Sequence, residues 1–336
     1  MPLRSLQPPQ SVVLHLTTLT PLYTGGIGQQ GEQLHPSGLL GSIRYFSGLV
    51  ARALGDDTFE NRVWGHVQGD AGHAKQVAIQ WDGRGLGLTK LPEVIRIIRV
   101  DGKDSSWFFN QALRGTCQLT LTRRDISDAD WQILLLSLRI QIRHATFGAK
   151  DQFGLGVMGC ADLPKVAGLA NITVARPQKT DSLWHTAFFK AQLSKPGLRN
   201  DDVVSFEELL KLGLSLRYAL RNSLRGNPDT TPDKNLRHIM LGALNEFGSA
   251  TNVSAAYPLE SGLIPQFEVR LTVQLKLSDG AQRTQVMKAF NNTLETCDSE
   301  GWRSGTLSYE WGGGIGSADQ YKFKTISEWI NHLAGV

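Results

Sequence analysis

The segment His35-Pro-Ser-Gly-Leu-Leu-Gly-Ser-Ile-Arg-Tyr-Phe46 opens a helix, and part of it, Ser42-Ile-Arg-Tyr45, returns far along the chain as Ser215-Leu-Arg-Tyr218. From Ser37 onward the apolar residues fall at Leu39, Leu40, Ile43, Phe46, Leu49, Val50, Ala53 and Leu54. That is a helical stripe, with Ser37 placed as its N-cap and Gly55 as its end, and Arg44 and Arg52 on the opposite face. Upstream, Val12 to Thr20 is short, β-branched and roughly alternating and stops at Pro21, so it reads as a strand. A glycine-rich loop from Tyr23 to Pro36 joins the two. Strand-like pieces follow at Arg62 to Val67, Gln76 to Trp81, Val94 to Val100 and Thr116 to Thr122. A second stripe, with Trp131, Leu134, Leu135, Leu138 and Ile142 in register, then leads into Phe147-Gly-Ala-Lys-Asp-Gln-Phe-Gly-Leu-Gly156.

The same order recurs. A strand at Thr186 to Leu193 precedes a helix around Leu209 to Leu224; Ile239 to Leu244 and Asn252 to Tyr257 echo Val63 to Val67 and Gln76 to Ile79. Strand Glu268 to Leu275, helix Gln282 to Thr296, strand Thr306 to Trp311 and Gly312-Gly-Gly-Ile-Gly316 complete the cycle. Self-similarity on this scale means that one unit has been built twice. A helix between strands, twice in each unit, predicts an α+β protein: tandem ferredoxin-like (RRM-like, split βαβ) domains with antiparallel sheets. The expected first domain is 1–165 and the second 181–336, since Pro164, Gly168 and Pro177 interrupt the pattern between them. The duplication also predicts Arg44 and Arg217 at matching helix positions.

Composition narrows the function without choosing it. The chain has 336 residues, 41% of them hydrophobic and 20% charged, enough for two real cores and too apolar for disorder. Its net charge of +4 permits a nucleic-acid partner without requiring one. The three cysteines, Cys117, Cys160 and Cys297, are too scattered for a disulfide framework or a CxxC metal site and suit a reducing compartment. No secretory h-region or membrane-spanning run is present, so no membrane association and a cytoplasmic location are expected. The eight histidines show no metal-ligand spacing, so neither metal nor cofactor is expected. Gly26-Ile-Gly-Gln-Gln-Gly31 satisfies GxGxxG, but a dinucleotide site needs the helix to begin inside the glycines, and Pro36 delays it. A nucleotide-binding enzyme is therefore kept only as the reading from another class.

In this order, Thr20-Pro-Leu-Tyr-Thr-Gly-Gly26, His35 to Phe46 and Phe147 to Gly156 resemble the motifs of the RAMP superfamily of CRISPR-associated RNA-binding proteins. Within it they are similar to the family of the first-numbered subunit of the type III-B Cmr effector complex. That family has a strand running into Pro-Leu-aromatic-Thr-Gly-Gly, a Pro-Ser-x-x-x-Gly-x-x-Arg-aromatic helix start and a Gly-x-Lys/Arg-x-x-x-Gly-x-Gly loop. The resemblance implies an RNA-binding subunit of a type III effector ribonucleoprotein. Its implied partners are the guide RNA (crRNA), at its 3′ region, the target RNA and other RAMP subunits. The implied RNA-binding positions are Gly25, Gly26, His35, Ser37, Arg44, Gly148, Lys150, Gln152, Gly154, Gly156 and, in the second half, Arg217. The chemistry suits phosphates: glycines let amides approach closely, a helix start adds its dipole, Lys150 adds a cation and Arg44 can fork a phosphate. Asp151 and Gln152 depart from the family, which commonly has basic residues there.

Cleavage is not expected. In slicing RAMP subunits an Asp in the loop between the first strand and first helix is implied; here Gly25 to Pro36 offers no Asp and only Glu32. RAMP processing nucleases use a His, and His35 is the only one in that loop. A RAMP endoribonuclease is accordingly the first alternative.

Overall fold

The computed structural model describes residues 10–25, 33–68, 71–91, 95–98, 104–107, 111–149, 154–166, 181–199, 202–224, 234–242, 249–259, 266–277, 279–296, 298–299, 302–312, 322–323 and 325–334. The first half runs β1 (Ser11–Thr18), α1 (Pro36–Ala53), α2 (Phe59–Trp64), β2 (His66–Gln68), β3 (Ala71–His73), β4 (Val77–Asp82), β5 (Leu86–Lys90), β6 (Ile95–Ile98), β7 (Asp104–Trp107), β8 (Gln111–Arg123), α3 (Asp128–His144) and β9 (Met158–Cys160). The second runs β10 (Thr186–Ser194), α4 (Phe206–Ser223), α5 (Lys234–Leu241), β11 (Thr251–Val253), β12 (Tyr257–Pro258), β13 (Phe267–Gln274), α6 (Gly280–Glu295), β14 (Asp298–Ser299), β15 (Trp302–Gly312) and α7 (Ile326–Ala334).

The two main sheets share no strand. One has the order β4-β8-β1-β9 and the other β11-β13-β10-β15, with every pairing antiparallel. Numbered within each half, both orders are second-third-first-fourth, the split βαβ arrangement with α1 and α3, then α4 and α6, as the crossing helices. The fold is therefore α+β with two ferredoxin-like units, and a parallel, doubly wound sheet is excluded along with the dinucleotide reading of its glycines.

Two expected strands are helical in their first half. Arg62 to Trp64 belongs to α2, with His66 and Val67 opening β2, and Ile239 to Leu241 forms the end of α5, with 243 and 244 outside the described residues. The cause is the same in both. Phe59, Val63 and Trp64 recur as Leu236, Met240 and Leu241, all buried, at a spacing that lines up along a helix and not along a strand. Each helix then stops at a left-handed glycine, Gly65 at φ 78° and Gly242 at φ 79°. The echo between the halves is real; β-branched and aromatic content had disguised its type.

Layering follows from burial. Along α3 the residues Ile133 to Leu136 are consecutively buried, as are Phe46 to Ala53 on α1. A helix apolar on all sides must be covered on all sides. The first sheet covers one side through Leu14, Leu16, Leu119 and Leu121; Phe188 of β10 and Trp329, Ile330 and Leu333 of α7 cover the other. The second sheet sends its other face to α4 and α6 through Phe189, Val269, Leu271 and Phe290. Polar groups complete the seam. Arg270 on β13 donates to the carbonyls of Ile142 (2.6 Å) and Ala145 (3.5 Å), and the Thr272 hydroxyl to that of His144 (3.1 Å), so the second sheet caps the C-terminus of α3. Arg52, expected on the face opposite the apolar stripe, is buried, donating to the Asp181 carbonyl at 2.7 Å and paired with Glu60 at 3.4 Å.

Candidate nucleic-acid interface

The fold gathers the three sequence motifs at one place. The Leu19 amide donates to the Val157 carbonyl (2.9 Å), the Gly156 amide to Pro21 O (2.9 Å) and the Ala149 amide to Tyr23 O (2.8 Å), which fastens the first motif to the third. Thr24 fastens it to the second: its hydroxyl accepts from the His35 amide (2.8 Å) and donates to the Gln33 carbonyl (3.2 Å). A Cβ on Gly38 would lie 2.3 Å from Thr24 O, so only glycine allows the first turn of α1 to sit this close.

At that junction α1 begins two residues earlier than an N-cap at Ser37 would place it. Pro36 occupies the first turn and His35, extended at ψ 104°, is the N-cap, with no side-chain capping bond. Ser37 is thus a helical residue with an exposed hydroxyl and not the cap. Four and seven residues on lie Gly41 and Arg44, both exposed, so the three form a strip along one helix face with Tyr45 at its edge. Beside Gly41 nothing would come within 4 Å of an added Cβ, so the strip is open there. No side chain or carbonyl among the described residues bonds the Arg44 guanidinium, and α1 carries no acidic residue from Pro36 to Ala53. Phe46 is core, whereas Tyr45 is 38% exposed and donates its hydroxyl to Gln274 Oε1 at 2.7 Å.

The glycine loop has a packing reason at each described glycine. Gly148, Gly154 and Gly156 all have φ between 82° and 87°. An added Cβ would lie 2.5 Å from Tyr23 O, 2.2 Å from the Ala255 amide nitrogen and 2.0 Å from Phe147 O, respectively. Gly154 also accepts from the Ala255 amide at 3.0 Å, and Gly213 on α4 faces Ser254 from the far side, 2.4 Å from its carbonyl by the same measure. The backbone of Ser254 and Ala255 is thus held between a glycine of each half. Gly25, at φ 97°, is half-buried with open space around it. Gly26, Glu32, Lys150 and Gln152 lie outside the described residues.

Arg217 does not match Arg44. Counted from their N-caps, His35 and Ser205, Arg44 is ninth and Arg217 twelfth, so Ser47 is the counterpart of Arg217 and Leu214 that of Arg44. Its guanidinium donates to the carbonyls of Leu241 and Thr251, both at 2.8 Å, and closes the end of α5. Ser47 plays the corresponding part in the first half, accepting from Trp64 Nε1 at 2.9 Å. The residue that sequence reasoning missed is Lys276, exposed just beyond β13, whose ammonium lies 5.9 Å from the centre of the Tyr45 ring. Only the fold brings it to α1.

The outer face of the first sheet differs from the strip. Ser11, Val13, His15 and Thr17 of β1 align with Thr122, Thr120, Gln118 and Thr116 of β8, a hydroxyl- and amide-rich surface on which the His15 imidazole is the one ring among these residues. These strands carry no Phe, Tyr or Trp on that face of the kind by which an RRM sheet stacks two or three bases. Among the described residues no three His, Cys, Asp or Glu side chains gather as a metal site, and no helix is long and apolar enough to cross a membrane.

No family model and no curated protein matches the chain. Among solved structures it is similar to apo Cmr1 from Pyrococcus furiosus, at 13% identity over 79% of this chain and 88% of that one, with a TM-score of 0.41. It is also similar to a chain of the type III-B Cmr-beta complex bound to cognate target RNA, at 10% identity over 85% of this chain and 100% of that one, with a TM-score of 0.45.

Proposed function

We propose that this chain is a non-catalytic RNA-binding subunit of a type III CRISPR effector ribonucleoprotein, holding the guide RNA 3′ region or the guide–target duplex along α1. The observation that carries the reading is Arg44: an exposed guanidinium with no partner among the described residues, on an acid-free helix, one face shared with Ser37 and Gly41, where three RAMP-like motifs converge. Leaving a guanidinium unpaired there suits an anion that arrives from outside. The domain limits 1–165 and 181–336 belong to the same proposal, as do contacts from Gly26, Lys150 and Gln152.

The non-catalytic part rests on the loop that precedes α1. His35 is tied by its backbone to Thr24, and no carboxylate among the described residues is bonded to its ring. Asp56 and Asp57 lie beyond the far end of α1, and Asp56 is engaged by Arg62 at 2.5 Å. The test is expression with a guide array followed by purification. The expected result is a co-purifying small RNA of uniform length that the isolated chain leaves intact in Mg²⁺, Mn²⁺ or EDTA. Cleavage abolished by His35→Ala or Glu32→Gln would establish the ribonuclease reading instead, and capture and turnover of a nucleotide without RNA would favour the nucleotide-binding enzyme.

A further inference from the structure

The RNA track proposed along α1 ends, by sequence, at Arg44. In the fold it does not end there. Tyr45, the next residue, reaches across the seam between the halves: its hydroxyl donates to Gln274 Oε1 at 2.7 Å, and the Lys276 ammonium lies over its ring at 5.9 Å. Gln274 is the last residue of β13; its amide donates to the Ala250 carbonyl at 2.8 Å on one side, and the Leu275 amide donates to the His185 carbonyl at 2.7 Å on the other, so the backbone carrying Lys276 is anchored on both sides of its strand end. Leu275 and Leu277 are buried and Lys276 between them is exposed, which fixes the direction in which its stem leaves the chain.

A lysine ordinarily loses rotamer freedom when it is fixed. A ring beside its ammonium lowers that cost in advance, through a cation–π contact. No carboxylate among the described residues pairs with Lys276, as none pairs with Arg44. Two unneutralised cations therefore flank one exposed aromatic, on a helix without acids. A polyanion with regularly spaced charges complements that arrangement.

We infer that Lys276 is a second phosphate-binding residue, positioned by Tyr45, and that single-stranded RNA crosses from the first half to the second at this point. The inference rests on the RNA-binding reading of α1 and replaces Arg217 by Lys276 as the second half's contribution. Tyr45 acts here as a positioning residue.

The experiment titrates the full chain with fluorescent oligouridylate over a range of salt concentrations. Lys276→Ala should lower the slope of log K against log salt by about 0.7 and weaken binding on the order of 5-fold at about 0.1 M salt. Lys276→Arg should restore both. Lys211→Ala, which removes the same charge from an exposed position on α4, serves as the control and should leave the slope unchanged. Tyr45→Leu should weaken binding when Lys276 is present and add nothing in the Lys276→Ala background. A slope lowered by Arg44→Ala but not by Lys276→Ala would overturn this inference and leave the α1 reading standing. A slope moved by neither would sink both. Equal effects of Lys211→Ala and Lys276→Ala would reduce the result to net charge and overturn the inference, and an undiminished Tyr45→Leu effect without Lys276 would overturn the positioning role.

Discussion

His144, the last residue of α3, shows how far a single side chain can depend on the assembly of both halves. Its ring forms a three-ring cluster with those of Phe188 and Trp329, with centroids 5.8 and 5.5 Å from its own and 5.1 Å from each other, and neither ring nitrogen has a hydrogen-bond partner among the described residues. Burial holds its pKa well below that of an ordinary histidine, and Lys190, Arg270, Arg143 and Lys322 push it further down. The folded protein thus binds fewer protons here than the unfolded chain does. Stability contributed by the neutral ring is complete above the unfolded pKa of about 6.5 and is lost as pH falls below it, by up to about 1.4 kcal/mol per pH unit. Denaturant unfolding of wild type and His144→Phe at several pH values checks this: the stability difference should shift in favour of the variant as pH drops from about 7 to 5. A difference constant with pH would show that His144 binds its proton equally well in the folded and the unfolded chain, and would contradict its burial as a neutral ring. Nothing in the sequence singled out this histidine, because its environment is made by residues about 45 and 185 positions away.

At the scale of elements, the glycines separate into two kinds that sequence alone could not tell apart. Gly41 is a helical glycine with open space around it, whereas Gly154 is left-handed and pressed against the Ala255 amide. Replacing Gly41 with Ala should raise stability by about 1 kcal/mol, the helix-propensity difference between the two. Gly154→Ala should lower it by about 1–3 kcal/mol or more, from the backbone conformation and the steric conflict together. Thermal unfolding of the two variants measures both, and equal effects would contradict the close approach of the halves at Ser254–Ala255. The helices and central strands were legible because their apolar spacing is local: α1, α3, α4 and α6 each lie within a few residues of the expected ranges. The short α2 and α5 were not, since a single turn of buried aromatic and aliphatic residues reads equally well as a strand. The glycine loop was legible as a motif, but its part in joining the halves depends on Gly213 and Ala255, whose approach no local pattern announces.

For the whole molecule, the decisive feature is that the central strands β10 and β13 of the second sheet are covered on both faces. One side packs on α4 and α6, and the other receives α1, α3 and α7 through Phe188, Arg270 and Thr272. Arg270, a charged residue inside a strand, is buried because α3 ends against it. It also takes part in a network in which its guanidinium donates to the Tyr257 oxygen at 2.7 Å and the Tyr257 hydroxyl donates to Glu268. Among the described residues two surfaces can be compared as tracks for RNA: the hydroxyl-rich outer face of the first sheet, and the strip from Ser37 through Arg44 to Lys276. Duplication and motif order made the class of fold readable from the chain, but the choice between these surfaces required the layers. Photo-crosslinking of 4-thiouridine-containing RNA to the purified protein, with the linked residues identified by mass spectrometry, distinguishes them most directly. The account predicts crosslinks concentrated between Ser37 and Tyr45 and at Lys276. Crosslinks confined to Val13, His15 and Gln118 on the outer face of the first sheet would contradict it.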